Sequence, residues 1–149
     1  VWPIVEETPA GVTLHYMDEE FDTGEIIAQR EAEVDFSDTG KDLHTRLENE
    51  QYNLFIDVWP KIEQAEIDPS KQGTSKGSYH SKDDFIELCE FDPEEKLEAK
   101  EFLNRLRALT FPPFDNAYIE IDDETYYIDV DIRRATETEK EIEGLLSAY

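Results

Sequence analysis

Asp22 is the residue whose type and position best suit catalysis. It opens the tripeptide Asp22-Thr23-Gly24, which follows an alternating strand pattern and a short acidic loop. Glycine gives the backbone the freedom to turn tightly there. A carboxylate held in such a turn can orient a histidine that acts as general base and can stabilise its charged form. Because this tripeptide is also common in surface turns, its meaning depends on the elements around it.

A second group of candidate residues lies in the second half of the chain. Tyr79 and His80, close to Lys82, can meet a nucleotide, since aromatic rings stack on bases and cations offset phosphate charge. A capped turn with exposed lysines accounts for these residues equally well. Arg107, just before a Phe-Pro-Pro-Phe segment, can line a substrate pocket. The alternative is a helix end that packs on that segment.

Several other kinds of chemistry are disfavoured. The three histidines are far apart and form no HxxxH or HExxH spacing, and the acidic pairs lack the spacing of a calcium loop. We therefore expect no metal site. No glycine-rich phosphate loop is present. The single Cys89 excludes an intrachain disulfide and suits a packed small hydrophobe better than a nucleophile.

Two strands and a long helix are predicted around Asp22. Alternating residues over 11–18 and the apolar-then-alternating stretch 25–36 favour strands on either side of it. Thr39 or Asp38 can cap a helix whose apolar residues recur at helical spacing up to Ile62. Pro60 should kink or locally break that helix. Residues 68–77, rich in Pro, Gly, Ser and Lys, predict a linker.

The second half of the chain predicts helices and a hairpin. Ser81 or Asp83 can cap a short helix, and a second helix is expected to start near Asp92-Pro93. The alternating runs over 118–132, with a polar turn at 122–124, predict a β-hairpin. A last short helix is predicted over 137–146.

The composition limits the classes of partner. The 149 residues contain 38 Asp and Glu against 14 Lys and Arg, a net charge of −24. Such a charge repels nucleic acid and anionic membranes, and it suits a protein kept soluble in high salt. The 38% hydrophobic and 11% aromatic content favours a folded chain over a disordered one. The length allows one core, or two small cores that share an interface.

Several segments resemble one known family. The stretch GVTLHYMDEEFDTGEIIAQ (11–29) resembles the signature of the formyltransferases that use 10-formyltetrahydrofolate, and WPIVEETPAGVTLH (2–15) and residues 35–64 resemble the segments around it. The stretches GSYHSKDDF (77–85) and RLRALTFPPFDNAYIEID (105–122) are most similar to nucleotide-sugar N-formyltransferases. The resemblance extends to about Arg134.

This resemblance implies an α/β fold, with α+β as the alternative. Residues 1–67 would form the C-terminal part of the catalytic core, 68–77 the linker, and 78–149 a subdomain with helices and a hairpin. Asp22 matches the catalytic aspartate, and Asp18 would contribute to the site of the co-substrate 10-formyltetrahydrofolate. The catalytic Asn and His of the family would lie before Val1. The apolar start of the chain also leads us to expect the later part of a longer protein.

The implied reaction transfers a formyl group to the amine of a nucleotide-linked amino sugar. A methionyl-tRNA-type or purine-pathway formyltransferase is an alternative, and so is a non-catalytic remnant that serves as a binding or dimerisation module. The resemblance implies dimer contacts through the hairpin, hence a homo-oligomer, and a cytoplasmic protein. Nucleic acid and membranes are not expected partners. The open edge of the strand at 11–18 independently predicts pairing with another chain.

Overall fold

A computed structural model describes residues 1–19, 24–72 and 78–136 of the chain. The mixture of helices and strands is the one expected from the sequence. In chain order the elements are α1 (Trp2–Val5), β1 (Ala10–His15), β2 (Ile26–Ala32), α2 (Gly40–Glu63), α3 (Lys82–Cys89), β3 (Glu90–Phe91), α4 (Ala99–Leu109), β4 (Tyr118–Ile121) and β5 (Glu124–Tyr127).

The strands β1 and β2 form an antiparallel ribbon. Ala10 pairs with Ala32 at one end, and the register shifts after Leu14 so that His15 pairs with Ile26. Both strands are shorter than predicted, because this irregularity ends β1 at His15 and the chain leaves β2 after Ala32. At one end of the ribbon, the strands lead into the segment that contains Asp22. The other end, at Ala10 and Ala32, lies next to the second half of the chain.

Helix α2 begins and ends at sites that local chemistry explains. The hydroxyl of Thr39 accepts a hydrogen bond from the backbone N–H of Asp42, whose carboxylate accepts one from the N–H of Thr39, a capping box. Pro60 does not break the helix, which continues to Glu63. A proline in the last turn removes only one of the final backbone hydrogen bonds. Shortly afterwards Ala65 adopts a positive φ of 55°, which directs the chain away from the helix.

The second half contains α3, α4 and a three-stranded sheet. Ser81 caps α3 through a capping box with Asp84, as predicted. The prediction of a helix start near Asp92 was wrong, because Asp92 closes only a turn, accepting hydrogen bonds from the N–H groups of Glu94 and Glu95. The helix begins instead at Ala99.

The three-stranded sheet has the order β3-β4-β5. The strand β3 pairs with β4 in parallel, and β4 pairs with β5 in antiparallel fashion. Asp122 and Asp123 make the turn of the hairpin with positive φ angles of 53° and 64°, a conformation that aspartate tolerates. The hairpin is thus confirmed, whereas the helix predicted over 137–146 lies outside the described residues.

Two small hydrophobic clusters meet at helix α4. One contains Cys89, Phe91, Leu106, Leu109 and Ala117, and the other contains Ile4, Ala10, Leu43 and Ala108. Successive residues of α4 thus face both clusters, and Val1 packs against each. The described residues of the two predicted segments, 1–67 and 78–149, therefore pack on each other, and the boundary between the segments stays a prediction. No helix in the described part of the chain is long and apolar enough to cross a membrane.

Candidate active site

The site candidate Asp22 lies outside the described residues, but the residues on both sides of it are well defined. The N–H of Tyr16 donates a hydrogen bond of 3.0 Å to the carbonyl of Glu25. A Cβ placed on Gly24 would lie 1.6 Å from the carbonyl oxygen of Tyr16. Only glycine allows the two chain segments to approach so closely. The ends of the Asp22 segment are therefore held together at Tyr16 and Gly24.

Residues of the predicted linker also contact this end of the ribbon. Ser70 exchanges two backbone hydrogen bonds with Ile26, at 2.7 and 2.9 Å, and the side-chain amide of Gln72 donates to the carbonyl oxygen of Gly24 at 2.8 Å. Sequence reasoning missed both residues. Neither carries a local signal, because the contacts join parts of the chain that are distant in sequence. Together they hold the backbone at Gly24 and Ile26.

Asp18 lies between the ribbon and the Asp22 segment. It follows Tyr16 by two residues and its side chain is exposed. The neighbouring His15 has Nδ1 2.9 Å from the carbonyl oxygen of Tyr16, so its ring is engaged with its own strand. The proposed contact of Asp18 with a co-substrate stays a prediction.

His80 packs against the first helix of the chain. Its ring stacks on Trp2 with a centroid separation of 3.7 Å and an interplanar angle of 9°. Its Nε2 lies 2.8 Å from a carboxylate oxygen of Glu6, at ion-pair distance but without the alignment of a hydrogen bond. Ser78 donates to the other oxygen of Glu6 at 2.8 Å. These contacts anchor the chain just after residues 73–77 onto α1.

Tyr79 and Lys82, on either side of this anchor, are exposed to solvent, and 89% of Tyr79 is accessible. A cleft of about 670 Å³ opens beside His80. Its charged residues are mostly acidic: Asp84, Glu87, Glu90, Asp92 and Glu95, with Arg105 as a cation. The cleft would therefore repel a diphosphate. The structure keeps Tyr79, His80 and Lys82 in one short segment. The side chains of Tyr79 and Lys82 are exposed, and that of His80 is mostly covered.

Arg107 is buried and lies in a different place. Its Nη1 donates to the carbonyl oxygens of Asp35 at 3.1 Å and Asp38 at 2.9 Å, and its Nε donates to the side chain of Asn104 at 2.9 Å. The guanidinium also lies 5.1 Å from the ring centroid of Phe36. Burial lowers the pKa of Arg107. These contacts show that Arg107 ties α4 to the turn before α2.

The cavity beside Arg107 is separate from the cleft beside His80. It has a volume of about 520 Å³ and is lined by Pro3 and Ile4 of α1 and by Lys100 of α4, among others. The cleft beside His80 takes Trp2 from the same helix. The structure therefore does not bring Arg107 together with Tyr79, His80 and Lys82, and its contact with substrate stays a prediction.

Two family models match this chain. Residues 5–59, which contain the ribbon and most of α2, match the model described as formyl transferase. Residues 84–134, which contain α4 and the hairpin, match the model of the N-formyltransferase dimerization C-terminal domain.

Individual relatives belong to the same family. The chain is 34% identical over 118 residues to the dTDP-4-amino-4,6-dideoxyglucose formyltransferase of Mycobacterium tuberculosis, a match that covers 79% of this chain and 50% of the relative. The structure of this chain resembles that of a 4-N formyltransferase from Francisella tularensis, with a TM-score of 0.84 and 30% identity. The match covers 90% of this chain and 55% of that chain.

A further solved structure carries ligands. It is the N-formyltransferase from Helicobacter canadensis in complex with folinic acid and dTDP-3-aminofucose, matched with a TM-score of 0.68 and 29% identity over 81% of this chain and 44% of that chain. The chain spans about half the length of the curated sugar N-formyltransferases that it matches. The resemblance inferred from the sequence is confirmed on both sides of residues 73–77, and the chain belongs to the formyltransferase family.

Proposed function

We propose that this chain forms part of an N-formyltransferase that moves the formyl group of 10-formyltetrahydrofolate to the amine of a nucleotide-linked amino sugar. The observation that carries the proposal is the close approach of Gly24 to Tyr16, which fixes both ends of the segment with Asp22. The match of residues 5–59 to the formyl transferase model supports it. So do the relatives, whose names specify amino sugars.

The chemistry assigns Asp22 a supporting role. The amine of the sugar attacks the formyl carbon, so that a C–N bond forms and the bond from that carbon to N10 of the folate breaks. The amine loses a proton, and N10 gains one. A histidine can transfer these protons, and a carboxylate beside it holds the ring in place and stabilises its charged form. Asp22 would be that carboxylate. The Asn and His implied by the family would come from outside these 149 residues.

The binding residues belong to the same proposal. Asp18 would contact the folate, since it lies on the same short segment as Asp22. Tyr79 and Lys82 would meet the nucleotide, because both are exposed and the stack of His80 on Trp2 holds them in place. Arg107 would act on the substrate site by holding the turn at Asp35 and Asp38, to whose carbonyl oxygens its guanidinium donates hydrogen bonds.

The proposed assembly is a homodimer formed through the β4–β5 hairpin. The matched domain is described as a dimerization domain. Ile121, Tyr126 and Tyr127 are exposed on the hairpin, and β5 has no partner strand other than β4 among the described residues. A cytoplasmic location is part of this proposal, because both proposed substrates are charged metabolites of that compartment.

The reaction can be tested with the chain joined to the half of the Mycobacterium tuberculosis relative that the match does not reach. Mass spectrometry of the amino-sugar product should show a gain of one formyl group with 10-formyltetrahydrofolate as donor. The 149-residue chain alone should show no transfer, because the Asn and His that the family implies would lie outside it. A folded chimera without transfer would contradict the proposal, and so would turnover by the chain alone.

The role of Asp22 requires a variant of the active chimera. Asp22→Asn should lower kcat by about 100-fold or more, since it removes the charge that supports the histidine. Asp123→Asn is the matched control, because Asp123 lies in the hairpin turn and asparagine also tolerates its positive φ. Equal activity of both variants would overturn the assignment of Asp22.

A further inference from the structure

A short piece of chain pairs with the side of β2 that faces away from β1. Ser70 exchanges two backbone hydrogen bonds with Ile26 and forms an antiparallel bridge with it. In an antiparallel ladder the next hydrogen-bonded pair lies two residues further along each strand, and here that pair is Gln72 and Gly24. Residues 70–72 therefore run beside the start of β2 and reach Gly24, which follows Asp22 by two residues.

The side chain of Gln72 takes the place that a backbone N–H would have in this ladder. Its amide nitrogen donates to the carbonyl oxygen of Gly24 at 2.8 Å. Because Gly24 is buried, its carbonyl oxygen is poorly hydrated if this donor is lost. The two bonds of Ser70 come from the backbone, so most residue types can make them. The bond to Gly24 instead requires a side chain at position 72 that has a donor at the right distance.

Gly24 is held from two sides. Successive residues of a strand direct their carbonyl groups to opposite neighbours. The carbonyl of Glu25 accepts from the N–H of Tyr16 at 3.0 Å, whereas that of Gly24 accepts from Gln72. Tyr16 also limits the space beside Gly24, where an added Cβ would lie 1.6 Å from the Tyr16 carbonyl oxygen. The bond from Gln72 thus fixes the direction of the Gly24 carbonyl, and with it the plane of the whole peptide group.

We propose that Gln72 is a positioning residue for Asp22, because its side-chain amide sets the peptide plane at Gly24 and so the direction from which the chain with Asp22 enters β2. The inference rests on the proposed function, since it requires Asp22 to act in catalysis. A displacement of about 1 Å in a supporting group can lower a rate by about 100-fold. Gln72 acts through the backbone rather than on a substrate, so its loss should lower turnover and leave substrate binding unchanged.

The test uses the active chimera. Gln72→Ala should lower kcat by about tenfold and leave KM unchanged for the folate and for the amino-sugar nucleotide. Gln72→Glu keeps the length of the side chain but replaces the donor by a carboxylate oxygen, so it should lower kcat at least as much. Gln29→Ala is the matched control, because Gln29 also donates from its amide, at 3.0 Å to the hydroxyl of Thr13, but lies further along β2. Its kcat should equal that of the original chimera.

A double-mutant cycle separates positioning from a general effect on the fold. In a chimera that already carries Asp22→Asn, Gln72→Ala should lower kcat by less than about twofold, because the carboxylate that Gln72 positions is absent. Circular dichroism and urea denaturation verify that each variant is folded at the assay temperature.

Three results would overturn the proposal. They are equal kcat values of Gln72→Ala and Gln29→Ala, a rise in KM with an unchanged kcat, and a full tenfold loss of kcat in the Asp22→Asn background. The second result would place Gln72 in a binding site, and the third would show that it acts independently of Asp22. A folded chimera without any transfer would contradict the proposed function together with the role of Gln72, whereas the three results above contradict the role of Gln72 alone.

Discussion

The backbone of Gly24 lies so close to that of Tyr16 that an added Cβ would stand 1.6 Å from the Tyr16 carbonyl oxygen. A side chain at position 24 must therefore displace one end of the β1–β2 ribbon. We expect Gly24→Ala to lower the free energy of unfolding by about 1–3 kcal/mol, the usual cost of forcing extra atoms into a packed site. Urea denaturation followed by circular dichroism measures this change.

Two other glycines provide a graded comparison. A Cβ on Gly40 would lie 2.2 Å from the carbonyl oxygen of Ala108, and one on Gly11 would lie 2.7 Å from that of Arg30. The loss of stability should therefore be smallest for Gly11→Ala. A Gly24→Ala variant as stable as the original chain would contradict the close approach at Tyr16.

We expect Arg107 to raise the free energy of unfolding even when no ligand is bound. Arg107→Met removes the donor to the carbonyl oxygens of Asp35 and Asp38 and to the side-chain oxygen of Asn104. The Asp35 carbonyl keeps a hydrogen bond from the N–H of Asp38, whereas the buried oxygens of Asp38 and Asn104 lose the guanidinium. The expected loss is about 3 kcal/mol in the free energy of unfolding. Lys100→Met is the control, since Lys100 makes an exposed ion pair with Glu7 and should cost less than about 1 kcal/mol. Equal effects in urea denaturation would show that the contacts of Arg107 contribute little.

Asp38 should make the stability depend on pH in the acid range. The hydrogen bonds from Arg46 lower the pKa of the buried Asp38 below its ordinary value, and the N–H of Asp35 contributes in the same direction. Because the pKa is lower in the folded chain than in the unfolded one, the stabilisation is present above the unfolded value. It is lost as the pH falls below the ordinary aspartate range and through the lower pKa of the folded chain.

The Asp38→Asn variant tests this dependence. It should be less stable than the original chain at neutral pH and should lose less of its remaining stability on acidification. Asp57→Asn is the control, because Asp57 pairs with Arg30 at the surface and such pairs contribute little. Parallel stability curves for the original chain and Asp38→Asn would rule out the role given to this pair.

Salt should raise the melting temperature. A net charge of −24 makes the folded chain repel itself, and added ions screen that repulsion. Scanning calorimetry in low and in molar salt should therefore show a clear increase in Tm. Glycerol at matched osmolality controls for general solute effects and should give a smaller increase. An unchanged or lower Tm in salt would contradict a destabilising role of the charge.

Local signals in the sequence predicted much of the fold. The capping boxes at Thr39 and Ser81 and the hairpin turn at Asp122-Asp123 depend only on residues a few positions apart. The start of α4 was misplaced because Asp92 and Pro93 favour a first helical turn, and the turn they make does not continue. The parallel pair of β3 and β4 was not foreseen, since a two-residue strand has no periodicity to detect.

The candidate site was predictable only through its sequence motif. The resemblance identified the segment with Asp22, whereas the contacts at Gly24 and Ile26 come from Ser70 and Gln72, in a stretch whose composition indicates a linker. The stack of His80 on Trp2 likewise joins residues from opposite parts of the chain. Contacts of this kind arise from tertiary packing, which no short pattern encodes.

The close contact between Gly40 and the carbonyl of Ala108 holds the two halves of the protein together. The carbonyl of Ala108 abuts Gly40, and the N–H of Lys41 donates to the carbonyl of Thr110 at 3.2 Å. These contacts join the two sides of residues 73–77 without involving that segment. Cleavage of the peptide bond anywhere in 73–77 would thus leave two peptides that remain associated. The described parts of this chain are held together by packing and hydrogen bonds as well as by the covalent link through 73–77.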